Sequence, residues 1–160
     1  MNETKKELKL PFKFKIKSFD LFLYSAFLLA LSLVWGLGGF HGVVDIYVVG
    51  LMALFSAILL HELGHVYAFK KFFGKKVDGA YFVINKWNNF GFETGEDKDY
   101  DNLPKEKLFK LYLWGIFFGM IPIVASFFIT PIYIVLAVLY FHGCKSDVKE
   151  ITDNLSELTK

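Results

Sequence analysis

Apolar residues fall into a few long blocks separated by short polar or glycine-rich breaks. The first block covers 19–37, and "GLGGFHG" (Gly36 to Gly42) ends it, as glycine clusters mark loops. The second runs from Val43 to Phe69, closed by Lys70, Lys71, Lys75 and Lys76. The last block covers 36 positions, 108–143. A helix of about 20 residues crosses the ~30 Å hydrocarbon layer, whereas 36 residues would make one of about 54 Å. Thr130–Pro131 supplies a turn, so the block divides. The pattern predicts an all-α polytopic membrane protein with four transmembrane helices, spans 19–37, 43–69, 108–128 and 131–146. Pro122 is expected to kink the third.

The remaining stretches have different periods. Residues 77–94 are rich in aromatic and β-branched side chains and carry "NNFG", which predicts a short β-hairpin between spans two and three. "GEDKDYDNLPKEK" reads as a solvated loop. Residues 1–18 form a basic arm in which Lys13, Lys15 and Lys17 alternate with Phe12, Phe14 and Ile16, suited to anionic headgroups as a short strand or extended anchor. One membrane-embedded domain, 19–150, comes next, then a polar tail, 151–160, expected to be a short helix or disordered. Lysines populate the arm, the middle loop and the C-terminal segment but are missing from "GGFHGVVD" and 129–131. Positive-inside logic places both termini and the hairpin in the cytoplasm.

Composition agrees: 54% hydrophobic and 19% aromatic, above the apolar share of soluble domains. The net charge of +2 suggests no nucleic-acid partner. All 18 basic residues are Lys. The single cysteine, Cys144, allows no intramolecular disulfide. The first apolar run is too long for a signal-peptide core, and no A-x-A-like site follows it.

Against this background one stretch stands out: "AILLHELGHVYAFKKFFG", Ala57 to Gly74. On a helix, His61 and His65 share a face, the spacing by which two imidazoles bind zinc, and Glu62 is free to act as general base on a bound water. With 4 His and 8 Glu in the chain, H-E-x-x-H arises by chance roughly 0.005 times. A carboxylate at membrane depth costs ~2.5–3.5 kcal/mol, which a neighbouring dication offsets. Catalytic zinc takes three protein ligands. A metzincin would need Gly at 68 and His at 71, where Ala68 and Lys71 stand. Candidates for the third are His41, Asp45, Glu93, His142, Cys144 and Asp147. His41 and Asp45 lie at the far end of span two, about 25–30 Å away. Asp147 has the matching depth and leads; Glu93, His142 and Cys144 stay open, His142 being better suited to hydrogen bonding behind the ligands.

"HELGHVYAFKKFFGKKVDGAYF" resembles the site-2 protease family of intramembrane zinc metalloproteases. The order of parts, a first span, a motif span, a hairpin and two further spans with an aspartate on the last, is similar over about 20–150. The resemblance implies His61, His65 and Asp147 as zinc ligands and Glu62 as catalytic acid/base. It implies hydrolysis of peptide bonds in or near transmembrane segments of protein substrates, by a multi-pass protein of a prokaryotic cell membrane. Lys145-Ser146-Asp147-Val148 departs from the family's L-D-G, and "GMIP" (Gly119 to Pro122) only partly matches its G-P signature, so this would be a divergent, small member. The resemblance also suggests a sheet edge at 77–93 that pairs with extended substrate. Two other readings compete: a membrane zinc peptidase with a Glu third ligand and a cytosolic site, and a catalytically inactive zinc-stabilised regulatory or binding protein.

Overall fold

The structure is a computed structural model and describes residues 12–74, 77–84, 90–94 and 103–158. Strand β1 (Phe12–Lys17) runs directly into helix α1 (Ser18–Leu37). Helix α2 (Val43–Phe73) comes next, then β2 (Gly79–Ile84) and β3 (Phe90–Glu93). Helix α3 (Lys105–Phe127), a 3-10 turn (Pro131–Tyr133), α4 (Ile134–Gly143) and α5 (Lys145–Leu158) complete the order. Among the described residues three helices are long and apolar enough to cross a membrane: Ser18–Leu37, Val43–Phe72 and Lys105–Phe127. Their outward faces carry large apolar side chains, Phe22, Phe27, Leu51, Phe55 and Phe117 among them.

Helix α2 organises the packing. Val49, Ala53, Ala57, His61, His65 and Phe69 recur every fourth position and are all buried, a ridge that winds slowly around the helix. Small residues on and beside this ridge let neighbours approach. A Cβ on Gly64 would fall against the Trp114 carbonyl and within 2.9 Å of Gly115 Cα, so α2 and α3 cross backbone to backbone there. On the α1 side, Ser25 and Ser56 are fully buried and clasp: their hydroxyls lie 3.0 Å apart, and Ser56 Oγ donates to the Ser25 carbonyl at 2.9 Å. Each serine satisfies its partner, which a buried hydroxyl requires. Helix α2 stops at Gly74, whose φ of +59° is a left-handed cap that other residues rarely adopt.

Three expectations need correction. First, the hairpin is part of a three-stranded antiparallel sheet in the order β1-β2-β3. The last third of the basic arm is its outer strand, pairing Phe12 with Ile84 and Lys17 with Gly79. That pairing joins residues about seventy positions apart at its outer end, which local alternation cannot reveal. The hairpin turn and the acidic loop lie outside the described residues. Second, the expected fourth span over 131–146 is interrupted. It consists of the 3-10 turn and the ten-residue α4, about 21 Å together, and the helix breaks at Cys144 (φ −90°, ψ 21°). Third, the boundary at 150 falls inside a helix, and the polar tail is the short helix expected of it rather than disordered. Through Leu158 it continues α5, which packs mainly against α3. Helix α3 also starts at Lys105, with Pro104 before its first turn, rather than at 108.

The C-terminal segment traverses the bundle. Tyr133 Oη donates to the Ile46 carbonyl near the start of α2, at 2.9 Å. Fourteen positions later Asp147 meets His61 and His65. Between them the core cluster of Val49, Ala53, Ala57, Ile123, Leu136 and Tyr140 fills the space.

Candidate metal centre

Three ligand atoms converge. His61 Nε2 and Asp147 Oδ2 are 2.9 Å apart, His65 Nε2 and Asp147 Oδ2 3.0 Å, and the two Nε2 atoms 2.9 Å. Among the described residues this is the group whose geometry suits a metal ion. Relative exposures are 6% for His61, 6% for His65 and 9% for Asp147, so bulk water does not solvate these groups. The i, i+4 spacing on α2 brings the rings together edge to face, with centroids 4.6 Å apart. The break at Cys144 turns α5 so that its first turn aims Asp147 at them.

This donor set fits a cation. Two imidazole nitrogens facing each other at 2.9 Å cannot both carry a proton without repulsion, and one carboxylate oxygen serves both. A shared positive ion resolves that arrangement. Ligand atoms around a tetrahedral zinc lie about 3.3 Å apart, a few tenths wider than these edges. The space on the third side is kept by Gly115, where a Cβ would come within 2.6 Å of His65 Cε1 and 3.1 Å of His61 Cε1. His65 Nδ1 is buried without a hydrogen bond of normal geometry, although the Leu111 backbone lies beside the ring. His61 Nδ1 is 2.8 Å from Tyr140 Oη and 3.6 Å from Cys144 Sγ.

Glu62, 8% exposed, accepts a hydrogen bond from Thr94 Oγ1 at 3.0 Å. Thr94 comes directly after β3 and is itself buried, so the sheet is docked on the site through this contact. The other candidate ligands sort by position. The backbone N–H of His41 donates to Asp45 Oδ2 at 2.7 Å, a turn at the far end of α2. His142 is exposed, so the hydrogen-bonding role expected of it belongs to Tyr140. Cys144 is buried beside His61 but is not in the converging group. Glu93 stands in β3 opposite Tyr81, and its side chain lies outside the described residues' side chains.

Tyr140, Thr94 and Gly115 were not legible as site residues. Tyr140 sits in "VLYFHG", where an aromatic reads as an interfacial anchor. The one available signal was Gly115-x-x-x-Gly119, a small-residue spacing that marks close helix contact. Comparison with family models, with curated proteins and with solved structures finds no match. The chain's own geometry is therefore the ground for assigning it a function.

Proposed function

We propose that the chain is an intramembrane zinc metallopeptidase that hydrolyses peptide bonds in or near transmembrane segments of protein substrates. The observation that carries this reading is that His61 and His65, with Glu62 adjacent, lie on an apolar helix long enough to span a membrane and converge there with Asp147 of α5 in one buried group. The histidines sit about 6–12 Å inside the Phe69 end of the apolar stretch of α2 by helical rise, which favours a reaction at membrane depth over one in bulk water.

His61, His65 and Asp147 would hold the ion, leaving one position open for water or a substrate carbonyl. Zinc bound there would supply a Lewis acid and a water of lowered pKa. Glu62 would take the proton of the attacking water. It would then deliver that proton to the amide nitrogen as the C–N bond breaks. Thr94 would keep Oε2 of Glu62 aimed and leave Oε1 for the proton. Two imidazoles and one carboxylate also suit ferrous iron, but a buried glutamate next to the ligands favours hydrolysis.

The same reading includes four crossings, with both termini cytoplasmic. Its support is the passage of the C-terminal segment from the level of Ile46 to the level of His61 and His65. The deciding experiment uses purified full-length protein in proteoliposomes. Metal analysis should give about one zinc per chain and little iron. A fluorogenic transmembrane peptide library should be cleaved by wild type and not by Glu62→Gln. Stoichiometric iron, or cleavage by both proteins alike, would overturn the reading.

A further inference from the structure

We infer that Tyr140 is a positioning residue that fixes the tautomer and orientation of His61. This rests on the metallopeptidase reading, and it concerns which ligand is held rigidly and by what.

The two histidines are treated differently by the fold. Around His65, the nitrogen away from the triad is buried without a normal hydrogen bond. Around His61, that nitrogen faces the Tyr140 hydroxyl at 2.8 Å. The direction of this bond is set by what surrounds the tyrosine. Its oxygen lies 3.3 Å from the Ile116 carbonyl and 3.4 Å from the Gly115 carbonyl, which are acceptors only. The phenolic hydrogen is therefore directed to α3, and the oxygen lone pairs face His61. The proton of the neutral ring then belongs on Nδ1, and Nε2 presents a bare lone pair to the position shared with His65 and Asp147. A ligand histidine oriented through its second nitrogen is a general device of metal sites.

The fold makes room for this hydroxyl. A Cβ on Gly119 would collide with the Tyr140 ring and hydroxyl. With Gly115 facing the imidazoles, one four-residue spacing on α3 serves both sides of the arrangement. Cys144, one turn after Tyr140, lies 3.6 Å from the same Nδ1. Thiols are weak acceptors, so at that distance it supports the ring without setting its proton.

Three proteins test this: wild type, Tyr140→Phe, and Tyr133→Phe. Tyr133 also gives its hydroxyl to a backbone carbonyl, Ile46, but far from the histidines, so it controls for loss of a buried tyrosine hydroxyl. Zinc affinity of full-length protein in detergent is measured by competition with a chromophoric chelator. Tyr140→Phe should bind zinc about 10–100-fold more weakly, and Tyr133→Phe within about twofold of wild type. Equal affinity in all three would overturn the inference while leaving the metal site standing. Wild type that binds no zinc would overturn the reading beneath it, and the inference with it. Should Tyr140→Phe fail to fold, histidine-labelled wild type decides by nitrogen NMR with zinc bound. A His61 proton on Nδ1 supports the assignment, and a proton on Nε2 or a metal on Nδ1 overturns it.

Discussion

Glu62 and its neighbours show how one side chain's task depends on what touches it. His61, Glu62 and His65 were readable because ligand spacing on one helix is a local property. Asp147 was reachable by depth along the chain. Thr94 was not, because a threonine after a short strand carries no mark until the sheet docks on α2. Three substitutions separate these roles. Glu62→Gln should keep zinc at wild-type stoichiometry and lower hydrolysis by about 10²–10⁴-fold, the usual contribution of a general base; elemental analysis and peptide cleavage are read on the same sample. Asp147→Asn should bind zinc much more weakly, since a neutral amide replaces the anionic ligand; a chelator titration indistinguishable from wild type would remove Asp147 from the ligand set. Thr94→Val keeps the volume but loses the hydrogen bond to Glu62, so kcat in the cleavage assay should fall with zinc affinity unchanged.

Among elements, the α2–α3 crossing is what the site depends on most. Gly64 lies inside the motif itself, and its lack of a side chain is needed for contact with the α3 backbone rather than for ligation. Gly115 faces the ligands instead. Gly115→Ala should therefore lose most zinc binding while retaining helical circular dichroism. Its methyl group would lie 2.7 Å from His65 Nε2, and the rigid ring cannot yield without leaving the triad. Wild-type zinc affinity in that variant would show that the imidazoles have room to shift. The sheet shows the opposite limit of legibility. Strand composition was apparent, but the central place of β2 was not: Val83 is paired with Lys13 on one side and Gly91 on the other. A proline at Val83 would break the sheet rather than block a free edge, so it cannot test strand addition by substrate.

For the whole molecule, the arrangement of crossings decides whether these parts can work together. The apolar faces of α1, α2 and α3 need lipid around them, and the site lies nearer the lysine-bearing end of α2. The proposed topology puts that end in the cytoplasm, on the strength of lysine placement. The helix count is less direct, because α4 with its 3-10 turn covers only about 21 Å of a ~30 Å layer. Yet Asp147 reaches His65, so the start of α5 must share the depth of the motif. The exposed positions Lys17, His41 and Asp153 separate the possibilities. In a Cys144→Ala background, each is changed to cysteine and challenged with a membrane-impermeant maleimide in intact cells and in inverted vesicles. Lys17→Cys and Asp153→Cys should label only from the cytoplasmic face, and His41→Cys only from the other. If Asp153→Cys labelled together with His41→Cys, the chain would cross three times. Asp147 would then start a helix on the side away from the lysines, and the four-crossing topology would fall with it.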